Sequence, residues 1–233
     1  MELDLRPYFK KYENLVAAVD GAFERVRRAH AACVKCKEGC ADCCYALFDL
    51  TLIEAVYINH KFNEKFKGTD KIDLLEKSSK ADRRIHRLKR KAFKALQAGK
   101  NEGEILAEMA LERVRCPLLS EKDLCDLYDH RPITCRFYGI PTAIGGTGHT
   151  CGRSGFKKGE QYPTANLDAV HSKLQEISAE LLRDIKSRNI RLADILVPLS
   201  MALITDYDDA YLGIGEEQAA EKLPPSRHKK RIK

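Results

Sequence analysis

Five of the nine cysteines of this 233-residue chain lie in one short run: Cys33, Cys36, Cys40, Cys43 and Cys44. A disulfide needs Cα atoms about 4.4–6.8 Å apart with converging Cβ atoms, and neighbours such as Cys43 and Cys44 meet that only through a strained ring. An odd number of cysteines cannot pair completely within one chain. The spacing therefore favours metal ligation, with buried or redox thiols as the lesser reading. Thiolates are soft, anionic ligands that select zinc, copper(I) and iron–sulfur clusters. Several around one centre build up negative charge, and Lys35, Lys37 and Arg136 are placed in the sequence to offset it. Gly39 lets the chain bend between ligands.

The spacing also bears on which metal. Structural zinc sites usually take two close pairs separated by a longer loop. Here Cys33-x2-Cys36 and Cys40-x2-Cys43 are only three residues apart. Such density is closer to the wrapping of an iron–sulfur cluster, in which one loop gives several thiolates and a distant segment gives another. That makes iron–sulfur the preferred cofactor over zinc. The distant ligands are available in Cys116, Cys125, Cys135 and Cys151, and Cys116 is followed by Pro117, as the last cysteine of a bacterial ferredoxin run is. His149 is a candidate nitrogen ligand but reads more simply as a loop histidine. Cys36-x3-Cys40-x2-Cys43 has the spacing of the radical S-adenosylmethionine signature. Asp42 stands where that signature usually has an aromatic residue, and the chain lacks the alternating strands and helices of the matching barrel.

Taken together, the crowded run ending in Cys43-Cys44, then Cys116-Pro117-Leu118-Leu119, then Cys125 to Tyr138 resemble the YkgJ-type cysteine-cluster proteins, described as zinc- or iron-chelating domains. The last stretch reads Cys-Asp-Leu-Tyr-Asp-His-Arg-Pro-Ile-Thr-Cys-Arg-Phe-Tyr. It is similar to the family's Cys-x-x-Tyr-x-x-Arg-Pro-x-x-Cys-Arg followed by an aromatic. The resemblance spans residues 33 to about 151 and implies Cys36, Cys40, Cys43, Cys44, Cys116, Cys125 and Cys135 as ligands. Cys33 and Cys151 are added from spacing alone. A long insert between the two halves leaves open whether both serve one centre. The family has also been linked to flagellin lysine N-methylation, so the resemblance brings in protein lysine N-methyl transfer as an alternative activity.

Arg131 and Arg136 are the candidates for contact with a cofactor. An arginine fork fits carboxylate or phosphate. The structural alternative, favoured for Arg131, is that it anchors the loop through backbone carbonyls or Asp126.

The elements that must position these residues are mainly α-helical. Apolar residues recur at helical steps from Tyr8 to His30, from Leu47 to Phe66, from Asp70 to Ala98, from Glu102 to Arg115 and from Thr164 to Arg188. Asp49 or Thr51 is placed to cap the second helix. A last helical stretch is expected around Leu192 to Leu203. Cys116 to Cys151, with its prolines and the run Gly145-Gly146-Thr147-Gly148, reads as loops and short strands. The expectation is one helical domain over residues 1–215 enclosing a cysteine-rich metal site, with a helical insert near 68–115 and a flexible basic tail over 216–233.

Charge suggests partners. The formal net charge is +7, of which +5 falls in the tail 227–233, leaving +2 elsewhere. Arg83 to Lys94 holds seven Lys and Arg and no acidic residue. Both features read first as solvated surface, and second as contacts for acidic protein or nucleic acid, so a metal-stabilised nucleic-acid module is a further alternative. No run approaches the roughly 20 apolar residues that span a bilayer. The N-terminus has no apolar stretch after a basic start, so a cytoplasmic location is expected.

Overall fold

The structure, a computed structural model, describes residues 3–215. The long N-terminal helix α1 (Arg6–Ala29) starts with Pro7 in its first turn, where a missing N–H costs nothing, and ends with Arg27 and Arg28, which suit the negative pole of the helix dipole. It buries Tyr8, Tyr12, Val19 and Val26 along one stripe. After the first cysteine run comes a two-residue strand, β1 (Asp49–Leu50), and then α2 (Leu52–Lys65). Of the two candidate caps, Thr51 is the one used: it forms a capping box with Glu54. Helix α2 is buried on nearly every side from Leu52 to Asn59, which makes it the central helix.

Around α2 pack α1, α6 (Leu167–Asp184) and α7 (Leu199–Ile204). The Ser178 hydroxyl of α6 donates to Leu174 O at 2.8 Å and accepts from Ile53 N–H at 3.1 Å, pinning α6 to the start of α2. Asn59 donates to Ala202 O and Thr205 O, both at 3.0 Å, satisfying carbonyls at the end of α7. The pair α3 (Gly68–Gln97) and α4 (Glu102–Leu111) forms the insert; α3 packs on α7 and leaves Phe93 and Leu96 exposed.

Three helical expectations change. The helix from Glu102 ends at Leu111 rather than Arg115, because the backbone of Val114 and Cys116 donates instead to Tyr45 O (3.2 Å) and Cys44 O (2.7 Å). The stretch Leu192–Leu203 is not one helix. A 3-10 turn (Ile190–Asp194) precedes strand β5 (Val197–Pro198), which pairs antiparallel with β1, and α7 begins only after Pro198, whose ring and missing N–H break a helix interior. The segment Cys116–Cys151 does contain short strands, β2 (Thr142–Ile144) and β3 (Thr147–His149), but also an unexpected helix, α5 (Ile133–Phe137). Gly145 and Gly146 form the two-residue turn of the β2–β3 hairpin, with φ of 55° and 75°, the positive values a primed hairpin turn requires. Strand β4 (Ala165–Asn166) adds in parallel to β2, and α8 (Asp209–Leu212) closes the described chain. The basic tail 227–233, like the rest of the segment 216–233, lies outside the described residues.

Candidate metal centre

The two cysteine groups meet because their backbones are joined. A 3-10 turn (Asp42–Tyr45) carries Cys43 and Cys44, and Cys44 O accepts the N–H of Cys116. Cys125 follows on a reverse loop held by the Leu119–Cys125 bridge and by Asp126 N–H to Leu118 O at 2.8 Å. Cys135 sits on α5. The N-terminal Ile133 N–H of α5 donates to the buried carboxylate of Glu54 at 3.1 Å, so the capping residue of α2 also places the helix that carries Cys135.

Six cysteines line one cavity of about 490 Å³: Cys40, Cys43, Cys44, Cys116, Cys125 and Cys135. The Cys43 thiol is held well below the usual thiol range, chiefly by hydrogen bonds from the Cys135 thiol and then the Cys44 thiol. Those same bonds push Cys44 and Cys135 up, with burial adding to it. Burial pushes Cys116 up to about 12 and raises Cys125. The positive charge of Arg131 favours the thiolate at Cys43 and Cys125. The group thus has one thiolate-prone sulfur among thiols that give up their protons when a metal takes them. Among the described residues, no group of three or more His, Cys, Asp or Glu is arranged as it stands to hold a metal ion. The fit lies in the donor chemistry: soft thiols from both halves of the chain converge on one cavity with a cation beside them.

Cys36 and Cys151 stand to one side of that cavity. The Cys36 thiol donates to Tyr138 O at 3.4 Å and is raised to about 11, first by desolvation of the sulfur and then by the thiols of Cys40 and Cys151. It lies over Gly139, where φ is 110° and an added Cβ would come within 2.2 Å of Cys36 Sγ, so only glycine fits. Cys151 donates to Asp42 Oδ2 at 3.5 Å. Asp42 also accepts from Arg113 (2.8 Å) and Tyr138 OH (3.0 Å), tying the first cysteine run to both later segments. Cys33 is elsewhere: its carbonyl accepts from Gly155 N–H at 2.7 Å and its side chain packs against the core. His149 is exposed on β3.

The two arginines differ. Arg136 is spent on the scaffold, donating to Asp20 (2.8 Å), Arg131 O (2.8 Å) and Asp129 O. Arg131 lies on the cavity wall, stacked over the Tyr128 ring at 3.9 Å, with Nε donating to Tyr128 O at 3.1 Å. Lys37 also lines the cavity. Two site residues escaped the sequence reading. Glu54 was discoverable from Thr51-x-x-Glu54, a capping-box signature. His130, on the cavity wall with Nδ1 3.4 Å from Tyr57 OH, left no signal beyond its place beside Arg131. Of the basic run, Lys89 pairs with Asp49 at 2.7 Å, while Arg83, Arg84, Arg87, Arg90, Lys91 and Lys94 are exposed.

A family model for the CxxCxxCC domain, described as a "putative zinc- or iron-chelating domain", matches residues 35–152. The chain belongs to this family. No curated protein and no solved structure matches the chain. The CxxCxxCC match takes in every cavity-lining cysteine together with Cys36 and Cys151, and leaves Cys33 outside. Its span includes α2, α3 and α4, so the insert lies within the family's domain. Among the described residues, no helix is long and apolar enough to cross a membrane.

Proposed function

We propose that an iron–sulfur centre is held by four thiolates drawn from both cysteine groups, Cys43, Cys116 and Cys135 with one of Cys44 and Cys125, with Cys40 on the same wall, and that the protein serves a redox, sensing or metal-handling role. The observation that carries this is the convergence of six thiols on one cavity of about 490 Å³. Structural zinc closes on four ligands with Zn–S near 2.3 Å and leaves no such space. When bound, the cluster would supply one-electron transfer at a potential set by its charge, hydrogen bonding and exposure. The chain's own residues supply the setting. Arg131 brings positive charge to the thiolates, and Leu118 and Leu127, both buried, shield one side from water. Glu54 holds the N-terminus of α5, and so Cys135, in place.

The test is metal content across single Cys→Ser variants of anaerobically purified protein. Cys43→Ser, Cys116→Ser and Cys135→Ser are expected to lose most of their iron and to unfold at lower temperature, because ligand loss couples to folding. Cys33→Ser is expected to keep wild-type iron. Equal iron in all four variants would overturn the ligand assignment.

A further inference from the structure

The cavity is larger than a metal centre needs. A cluster of four irons and four sulfides is eight atoms. At about 30 Å³ each, the share of a water molecule in the liquid, they fill about 240 Å³. That is half of the cavity's approximately 490 Å³. The cavity wall also includes the apolar residues Leu47, Phe48, Ile58, Ile85 and Leu199.

Two cations on this wall have hydrogen-bonding capacity to spare, the exposed Lys37 and Arg131, and of the two only Arg131 carries a planar fork. Arg115 is occupied by Tyr45 OH (2.7 Å), Leu119 O (3.3 Å) and Ser120 O (2.7 Å). Arg131 donates only Nε, to Tyr128 O, and among the described residues its guanidinium has no carboxylate partner. A guanidinium has five N–H donors in a fork that matches a carboxylate, and stacking on Tyr128 holds the plane of this one. Of the wall's acidic residues, Asp123 faces Arg115 at 3.8 Å and Glu38 is exposed.

We infer that the cavity also binds a small organic monoanion, with its carboxylate on Arg131 and an apolar body along Leu47, Phe48 and Leu199. Short straight-chain carboxylates such as hexanoate combine that charge and that apolar body. Pockets of about 300–1,000 Å³ with an apolar wall and a few fixed polar groups are the usual form of a small-molecule site. This rests on the reading that the thiols hold a centre.

The test is calorimetric titration of the anaerobically purified full-length protein, its metal content measured on the same sample, with acetate, butyrate, hexanoate and octanoate. Hexan-1-ol and inorganic phosphate are the controls. Affinity is expected to rise about fourfold per added CH₂, the equivalent of about 0.8 kcal/mol each, up to hexanoate and to level off by octanoate. Arg131→Gln is expected to weaken hexanoate binding at least tenfold. Leu47→Trp, which fills the apolar side, is expected to move the best chain length from hexanoate to butyrate. Metal-loaded protein that binds none of the carboxylates would overturn the inference and leave the centre standing. Phosphate or hexanol binding as tightly as hexanoate would overturn it too, the first as a bare anion site and the second as a site without a role for Arg131. Protein that carries no metal would overturn the centre and the inference with it.

Discussion

Glu54 is a carboxyl group inside the protein core, 3% exposed, and its charge state should be visible in the pH dependence of folding. It accepts from Ile133 N–H (3.1 Å), Thr51 N–H (3.5 Å) and Thr51 Oγ1 (3.3 Å). Those bonds favour the charged form, but burial outweighs them and raises the carboxyl from 4.5 to about 7. Between these values the folded protein keeps a proton that the unfolded chain has released. Stability from this group is therefore fully present below pH 4.5 and is lost as pH rises through 7. A shift of that size corresponds to about 3 kcal/mol, of which about 2–3 kcal/mol falls between pH 5 and pH 8. Glu54→Gln removes the titration while keeping an oxygen to accept from Ile133. The assay is urea unfolding of both proteins in chelator at pH 5, 6, 7 and 8, read as the difference between them so that other titrating groups cancel. The variant should gain on the wild type by about 2–3 kcal/mol from pH 5 to pH 8. A difference that stays constant across that range would refute the reasoning.

Other substitutions test particular contacts. Tyr12 is fully buried and its hydroxyl has no hydrogen-bond partner. Tyr12→Phe is expected to stabilise the protein by about 1 kcal/mol in urea unfolding, since it removes an unsatisfied buried group. Gly139→Ala puts a Cβ 2.2 Å from Cys36 Sγ at a φ of 110°. A loss of at least about 2 kcal/mol is expected from strain and overlap together, and Cys36→Ala in the same chain should recover the overlap part. Arg136→Lys keeps the charge but not the fork that serves Asp20 and two carbonyls. With the Arg136 side chain only 9% exposed, a loss of about 2–3 kcal/mol is expected by thermal or urea unfolding.

The long helices were legible because their buried stripes repeat at helical steps: Tyr12, Val19 and Val26 on α1, and Leu174, Leu181 and Leu182 on α6. Thr51 was among the readable caps for the same kind of local reason. Helix α5 was not legible, since five residues give no period, and it is held by Glu54 from a helix about 80 residues earlier in the chain. The early end of α4 was hidden in the same way. Glu112 to Arg115 read as helix until Cys44 and Tyr45 claim the backbone donors that follow. At the site, the cysteines were legible by type and spacing, and their order along the chain matched a family pattern. Their division was not, because it depends on which sulfurs the folded backbone turns toward one cavity. Cys40, Cys43, Cys44, Cys116, Cys125 and Cys135 line it, while Cys36 goes to Tyr138 O and Cys151 to Asp42. Arg136 shows the limit of reading charge from position: it is close to the thiols in sequence, yet its guanidinium goes to Asp20 and the scaffold.

The central claim is that the converging thiols hold an iron–sulfur centre. The most direct measurement is elemental analysis with a visible spectrum on protein purified without oxygen. The account predicts iron and acid-labile sulfide in near-equal amounts, with broad visible absorption that bleaches on reduction. Colourless protein carrying zinc and no sulfide would contradict it.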